Sequence, residues 1–486
     1  MSNIRLRESR PLHAGSALTI GVVTLALSAC MVGPNYHPPA APAAPAFTEP
    51  AKPVTAPTYA AAIAYHNWWK IYRDPKLDDL ENQADAANRD IKIAIAHVDE
   101  AAAATKIARS YLLPTVSGQL SVSRNREAQD RPNNGETDQR AATYNDIQLP
   151  LVAGYEVDAW GRVRRSVESA DATQQASAAD LRFVRLSIEA TVAIDYFDLR
   201  ESDQELGILD AMIADFTKSL ALIDSRFHHG LNSDLDVEQA KTILDETKAQ
   251  EQALKIQRAQ LEHAIAVLLG RTVEGFSLPS QPSNPLPPDI PAGLPSDLLE
   301  RRPDIAEADR DVAAATAQIG IAKAAYFPQF SLTGVAGYES TNAVSLLNWE
   351  NTLTTLGASA VAPIFTGGRL RAGVEQAQAA YRECLAQYEK TVLVAYQEVE
   401  DQLAALHYLD SESQAEASAV LDARRTEEIA LQRYKVGLVG YLDVVYAQQA
   451  VLTNEQIAAQ ISGQRLAASV GLIKALGGGW TGRDTP

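Results

Sequence analysis

The chain has 486 residues, of which 46% are hydrophobic and only 6% are aromatic, and its formal net charge is −18. The charge argues against a nucleic-acid partner, because binding a polyphosphate requires a basic face and the Lys and Arg residues do not cluster into one. High alanine content and long stretches without Gly or Pro indicate extended helices rather than several globular domains.

Residues 1–29 have the features of a signal peptide. A basic start is followed by the apolar run SALTIGVVTLALSA, whose fourteen residues are too few to cross a bilayer, which needs about 20 helical residues. The run ends in LSAC, which resembles the lipobox of bacterial lipoproteins, where the cysteine is diacylated and becomes the new N-terminus. We therefore expect a covalent lipid on Cys30 and no other cofactor; the alternative is a chance cysteine after an ordinary signal peptide.

Residues 30–66 follow as a lipidated N-terminal tether. The segment is rich in Pro and Ala and has no apolar periodicity, which is typical of an extended linker.

The remainder of the chain is an internal repeat. The segment RFHHGLNSDLDVEQA from Arg226 returns as RYKVGLVGYLDVVYA from Arg433, 207 residues later, and GRVR from Gly161 returns as GRLR from Gly368 with the same offset. We divide the chain into a first repeat at 67–270, a proline-rich linker at 271–296, a second repeat at 297–479 and a C-terminal tail at 480–486.

Each repeat contains a predicted β-hairpin, at about 114–159 and about 328–366. Apolar and polar side chains alternate there with a period of two, as in Val116, Leu120 and Val122. Such strands suit an outer-membrane barrel, with a soluble hairpin packed on helices as the alternative. Pro150 within the second strand predicts an edge or a strained position. Four strands cannot close a barrel, so a barrel would be shared between chains.

Long helices are predicted on either side of the hairpins. Residues 162–227 and 369–434 contain no proline, so each segment forms a helix of about 60 residues, or about 90 Å. Shorter helices are predicted at roughly 76–112, 234–269, 297–326 and 441–476. Helices of this length need lateral partners in a coiled coil or an α-barrel.

The motifs do not predict an enzyme. His228 and His229 are adjacent and have no ligand-type residue at metal-binding spacing, and the glycines at 477–479 precede the chain end rather than a phosphate-binding helix. We expect passage of molecules rather than catalysis.

Six motifs occur in a characteristic order: WWKIYRDPKLDDLENQA from Trp68, YEVDAWGRVR from Tyr155, LPSDLLERRPDIAEAD from Leu294, IGIAKAAYFPQFSLTG from Ile319, PIFTGGRLR from Pro363 and ALGGGW from Ala475. Together they resemble the TolC-like outer membrane factors, in their lipid-anchored efflux branch. The resemblance implies a mainly α-helical homotrimer, with a shared twelve-stranded transmembrane β-barrel and a periplasmic α-barrel tunnel. It also implies the outer membrane of a Gram-negative bacterium, a periplasmic adaptor (membrane fusion) protein and an inner-membrane pump, usually of the resistance-nodulation-division class, which together export small molecules such as drugs.

The resemblance places the periplasmic gate at the repeated turns. It assigns Asp443 as the constricting acidic residue, Tyr434 as a tie between inner and outer helices and Asp236 as its partner. The gate set also includes Leu442, and Tyr446 stands where the family commonly has a second acidic residue. The family's basic residue is replaced by Val439, so closure is expected to be more apolar.

Two further expectations concern the same turns. Gly230 and Gly437 fit the left-handed position that ends a helix, and these turns are expected to contact the adaptor. For Asp236 and Asp443 the alternative role is helix capping. Alternative functions for the whole chain are a type I protein secretion duct and a periplasmic lipoprotein that forms a coiled-coil scaffold without a channel.

Overall fold

The computed structural model describes residues 31–42, 46–49, 67–128, 142–282, 286–290 and 301–478. Cys30, the signal peptide and the C-terminal tail lie outside the described residues. The chain separates into two compact units. The strand unit comprises Met1–Pro39, Asp99–Ala176 and Asp309–Ala386, and the helical unit comprises Ala40–Val98, Ser177–Ala308 and Gln387–Pro486.

The fold is mainly α-helical, and its helices repeat with the period found in the sequence. The helices are α1 Pro75–Ala87, α2 Arg89–Ser110, α3 Arg162–His228, α4 Asp234–Leu268, α5 Pro303–Ala324, α6 Arg369–Lys435 and α7 Tyr441–Ala475. The first and last residues of α6 and α7 lie 207 residues after those of α3 and α4. Helices α3 and α6 have 67 residues each, or about 100 Å of helix, which confirms the predicted long helices.

The described helices contain no apolar stretch of the length that would take a helix through a membrane.

The prediction of a single helix at 76–112 is wrong, because the segment forms two helices separated at Asn88. The side chain of Asn88 accepts hydrogen bonds from the backbone N–H groups of Asp90 at 2.8 Å and Ile91 at 3.1 Å, so Asn88 caps the start of α2. The backbone N–H of Asn88 donates to the carbonyl of Ala84, the last bond of α1. An asparagine side chain competes in this way with the helix backbone and divides the segment into two helices.

Both predicted β-hairpins are confirmed. The strands are β1 Thr115–Gly118, β2 Ser121–Arg126, β3 Thr143–Val157, β4 Gln329–Ser340 and β5 Thr352–Val361. All neighbours are antiparallel, and β3 of the first hairpin pairs with β4 of the second. Segments β1 and β2 pair with β3 in one continuous register and form one side of the sheet, while β5 forms the other side.

Of the two positions expected for Pro150, an edge or a strained position, the edge is wrong, because β3 is an interior strand of the sheet. Pro150 has no N–H to donate, and the hydrogen-bond ladder between β3 and the preceding strand is interrupted opposite it, between β1 and β2. One bond remains there, because Gln119 donates its N–H to the Pro150 carbonyl at 3.1 Å. On the other side Pro150 lies opposite Gly337 of β4. A Cβ atom on Gly337 would lie 2.5 Å from the Pro150 Cα, so glycine makes room for the proline.

The register places most of the apolar side chains of the strands on one face of the sheet, while Val152, Val335, Leu353 and Val361 lie on the opposite face. The cross-strand pairs Leu151–Ala336 and Tyr155–Leu332 lie on this apolar face, and Leu356 of β5 is 95% exposed there in the single chain. The opposite, polar face carries Ser, Thr, Asn, Gln, Asp and Glu side chains. The face set consists of Val116, Leu120, Val122, Ile147, Leu149, Leu151, Ala153, Tyr155, Val157, Phe330, Leu332, Ala336, Tyr338, Leu356, Ala358 and Ala360.

The main core of the helical unit surrounds a short 3-10 helix, Trp68–Tyr72. The indole N–H of Trp68 donates to a Glu189 carboxylate oxygen at 2.9 Å, and burial raises the pKa of Glu189 to about 8. Arg302 is also buried and binds Glu398 at 2.6 Å. These polar contacts hold the segments around Trp68 and Arg302, near the starts of the two repeats, against the apolar core.

The first described residues of the predicted tether lie against the strand unit. The N–H of Val32 donates to the carbonyl of Trp160 at 3.1 Å, and Arg165 donates to the side-chain oxygen of Asn35 at 2.8 Å. Trp160 lies between the end of β3 and the start of α3. The chain that follows Cys30 is therefore held at the junction of sheet and helix.

We expect Gly337→Ala to destabilise the protein, because the added methyl group overlaps the backbone at Leu149 and Pro150. Overpacking of this kind costs about 1–3 kcal/mol, which lowers the unfolding midpoint of a chain of this length by about 1–3 °C, because the entropy of unfolding grows with chain length. The measurement is thermal unfolding of the detergent-solubilised protein by circular dichroism. Gly334→Ala is the matched control, since its Cβ would meet no atom closer than 3.8 Å. Equal midpoints for the two variants would contradict the close approach.

Candidate functional site

The candidate site is formed by the turns that join the long helices, α3 to α4 and α6 to α7. In the first turn Gly230 has φ 70°, and the N–H of Leu231 donates to the carbonyl of Arg226 at 2.9 Å. In the second turn Gly437 has φ 78°, and the equivalent bond is also 2.9 Å. Positive φ is strained for any residue with a Cβ, so both helices end at glycine as the sequence predicts.

The start of α4 is held by a reciprocal capping box. Ser233 accepts a hydrogen bond from the N–H of Asp236 at 3.3 Å, and the Asp236 carboxylate accepts the N–H of Ser233 at 3.0 Å. Asp236 therefore caps the helix, and its negative charge also lies at the positive end of the helix dipole.

The start of α7 has only half of this arrangement. The Asp443 carboxylate accepts the N–H of Gly440 at 3.2 Å, but Gly440 has no side chain to return a bond. Asp443 is exposed, and within the described residues its second carboxylate oxygen has no hydrogen-bond partner. The second turn thus has a capping aspartate that remains available to solvent or to another chain.

A polar network connects the two turns. Tyr434 is 5% exposed, and its hydroxyl accepts a hydrogen bond from the Asn232 side-chain amide at 2.6 Å. Asn232 also donates to Asp236 at 3.3 Å and accepts from Arg226 at 2.9 Å. The structure therefore places Asn232 between Tyr434 and Asp236, which the sequence analysis paired directly.

Aromatic contacts strengthen the same connection. The Arg226 guanidinium lies over the Tyr434 ring at 5.1 Å, and the rings of Tyr434 and Tyr441 are 5.8 Å apart. Burial, with the nearby Tyr434 and Asp236, raises the pKa of Tyr441 to about 12. Beneath the turns lies a small apolar cluster consisting of Ile223, Val237, Ala240, Tyr434, Tyr441, Val444 and Val445.

The outer surface of the second turn is apolar. Leu438 is 68% and Tyr446 is 66% exposed, and Leu442 lies one helical turn before Tyr446 on the same side of α7. The exposed Asp443 is adjacent to this side. The second turn therefore presents a carboxylate beside apolar side chains. The first turn also exposes two leucines, Leu231 at 67% and Leu235 at 65%, but it has Gln239 at the position that corresponds to Tyr446.

Sequence reasoning missed Asn232 and gave Arg226 no role. The signal was present in the repeat, because position 232 corresponds to 439, where the second copy has valine. Val439 packs against the apolar cluster, while Asn232 forms the polar link. A polar residue that replaces an apolar one in a repeated turn indicates an interaction found in only one copy.

The structure offers no metal-binding cluster of three or more His, Cys, Asp or Glu within its described ranges. The Nδ1 atoms of His228 and His229 lie 2.8 and 2.7 Å from the backbone carbonyls of Asp224 and Ser225, one helical turn earlier.

Comparison with known proteins gives a consistent result over the repeats. The family model described as outer membrane efflux protein matches residues 80–271 and 294–478. The chain is 34% identical over 467 residues to the solvent efflux pump outer membrane protein SrpC of Pseudomonas putida, covering 94% of this chain and 97% of that protein. It is 33% identical over 418 residues to the pyoverdine export outer membrane protein OpmQ of Pseudomonas aeruginosa, covering 85% and 87%.

A solved structure shares the fold. The CmeC outer membrane channel of Campylobacter jejuni superimposes with a TM-score of 0.84 at 25% identity, over 94% of this chain and 96% of that chain.

We expect Tyr434→Phe to loosen the connection between the turns, because it leaves the Asn232 amide without its hydroxyl acceptor. Loss of a bond worth about 1 kcal/mol speeds amide exchange roughly fivefold in residues 226–236, as measured by hydrogen–deuterium exchange with mass spectrometry. Tyr441→Phe is the control, since it keeps both rings and the described residues give its hydroxyl no hydrogen bond. Exchange that is the same in both variants would show that the hydroxyl of Tyr434 does not hold the turns together.

Proposed function

The chain belongs to the outer membrane efflux protein family, and we propose that three copies of it form the exit duct of a tripartite pump. The protein is an outer-membrane efflux channel with a periplasmic helical part. We propose that it passes small molecules from a periplasmic adaptor and an inner-membrane pump of the resistance-nodulation-division class to the exterior. Its relatives are named for solvent efflux and for pyoverdine export, which supports a range of small organic substrates.

The observation that carries the trimer is the open sheet. One chain supplies four strand positions, and both outer strands, β1/β2 and β5, lack a neighbour on one side within the described chain. Bacterial membrane barrels begin at about eight strands, and unpaired edges are not tolerated in lipid. Pairing β5 of one copy with β1/β2 of the next closes twelve strands from three copies.

Exposed apolar side chains on the helices support lateral packing of the copies. Leu393, Tyr408 and Leu421 of α6 are exposed in the single chain, and so is Ile256 of α4. Large apolar side chains on a helix are more stable when they are removed from water. We therefore expect the helices of neighbouring copies to cover these positions, and the packed helices to line a tunnel.

The docked start of the mature chain supports a lipid on Cys30. Val32 is fixed to Trp160 at the end of the sheet from which the long helix departs. Cys30 is two residues away, so an attached diacylglycerol would reach the inner leaflet of the outer membrane directly. The lipid and the barrel then act as two anchors at the same membrane surface.

We propose that the second turn is the gate. Three copies of Asp443 form an acidic ring at the periplasmic entrance, with Leu442 and Tyr446 around it. Tyr434, through Asn232 and Asp236, ties the gating helices to the outer pair. The turns at Gly230 and Gly437 are the points at which the adaptor docks and opens the entrance.

The function is tested by reconstitution. Purified full-length protein is inserted into planar bilayers, and its mass in detergent is measured by native mass spectrometry. We expect single-channel conductance from a species of three chains. A monomer without conductance would contradict the channel and would favour a scaffold lipoprotein.

Neutralising Asp443 tests the gate. Asp443→Asn retains a side-chain oxygen for the Gly440 N–H but removes the charge, so we expect the cation preference of the channel to fall while the helix start is preserved. Reversal potentials in a salt gradient provide the measurement. Asp236→Asn makes the same change at the first turn and should leave ion preference unaltered. Unchanged selectivity in Asp443→Asn would exclude the acidic ring.

A further inference from the structure

Two arginines continue the apolar face of the sheet at its loop end. In the ladder between β2 and β3, Val122 pairs with Ile147 and Arg124 pairs with Asn145. Residues two apart in a strand lie on the same face, so Arg124 and then Arg126 follow Val122 on the apolar face. The side chains of both arginines are exposed.

The extent of the apolar face places Arg124 at the membrane boundary. Strand β3 carries this face from Val157 to Ile147, eleven residues that rise about 34 Å along the strand. At a strand tilt of about 40° this corresponds to about 26 Å along the membrane normal, close to the band of about 25 Å found in membrane barrels. Arg124 is the next residue on this face, where hydrocarbon gives way to headgroups.

Charges at this end of the sheet are separated by face. The acidic residues Asp146 and Glu339 lie on the polar face, where Gln148 donates to Asp146 at 2.9 Å and to Glu339 at 3.3 Å. Within the described ranges neither Arg124 nor Arg126 forms an ion pair. Two guanidinium groups therefore face the lipid side without a counter-ion among the residues that the structure describes.

We propose that Arg124 and Arg126 bind the phosphate groups of glycolipid headgroups in the outer leaflet. A guanidinium donates two parallel hydrogen bonds to phosphate oxygens, and a headgroup at this depth supplies the missing counter-charge. Strand pairing in the proposed trimer uses the edge of β2, so it leaves this face open to lipid. The inference uses the outer-membrane location and not the pump or the gate.

The helices leave the sheet at its other end, and this fixes the leaflet. Strand β3 continues into α3 after Val157, whereas Arg124 and Arg126 precede the loop between β2 and β3. In an outer-membrane channel with periplasmic helices, this loop end faces the exterior. The phosphates at that surface belong to the glycolipids of the outer leaflet.

Native mass spectrometry of the full-length protein in detergent tests the proposal. The probe is a diphosphorylated hexa-acyl glucosamine disaccharide lipid, compared with the same lipid after removal of both phosphates. We expect wild-type protein to retain the phosphorylated lipid and Arg124→Gln/Arg126→Gln to bind it about thirtyfold more weakly, because each basic residue near a membrane surface contributes about 1 kcal/mol. Arg124→Lys/Arg126→Lys retains the charge and should retain most of the binding.

The control Arg382→Gln/Arg425→Gln removes two exposed positive charges from α6 and should bind like wild type. Conductance of each variant shows that the barrel has assembled, so failure to fold is distinguishable from loss of lipid. Equal binding of the dephosphorylated lipid, or wild-type affinity in the Gln variant, would overturn the proposal. Displacement of the lipid by millimolar inorganic phosphate would identify a free-anion site and would overturn it as well.

Discussion

Backbone N–H and C=O groups at the edge of a sheet need partners, and a lipid phase offers no water to supply them. The described part of the chain has four strand positions with both outer edges open, and many side chains of the apolar face, such as Val116, Leu151 and Leu356, are exposed. In a membrane this sheet therefore needs further strands to pair with its edges, as the proposed trimer would supply. In the proposed trimer, neighbouring copies would also cover the exposed apolar side chains of the long helices.

The two repeats have the same arrangement of helices but differ at their turns. Helices α3 and α4 recur as α6 and α7 with identical lengths, and both turns close on a glycine with positive φ. The first turn satisfies its polar groups within the chain through Ser233, Asp236 and Asn232. The second turn leaves Asp443 and its apolar neighbours exposed. The duplicated hairpin therefore has one turn with a polar network inside the chain and one turn whose capping carboxylate stays exposed.

Polar contacts in the helical unit fall into two groups, one around the main core and one at the turns. Trp68 with Glu189 is a buried pair, and the buried Arg302 binds the half-exposed Glu398; both contacts position helices around the core. The link from Tyr434 to Asn232 is only partly buried and lies at the end of helices about 100 Å long. A few bonds at the turns suffice to hold or release the helix ends, because little apolar surface is buried there compared with the main core.

The sequence by itself determined the repeat, the two hairpins, the long helices and the glycines of the turns, because each depends on local periodicity or on a backbone conformation that one residue type favours. Its motifs also indicated the family, and the family resemblance is the basis for the proposed gate role of Asp443. Only the tertiary structure decided that Asn232 stands between Tyr434 and Asp236, that Pro150 is accommodated in an interior strand by Gly337, and that Arg124 and Arg126 continue the apolar face. Alternation within β2 already puts Arg124 and Arg126 on the face of Val122, but only the register shows that this face continues the apolar face of β3. The other two relations join residues on different strands or helices, and no local pattern specifies register or contact across such distances along the chain.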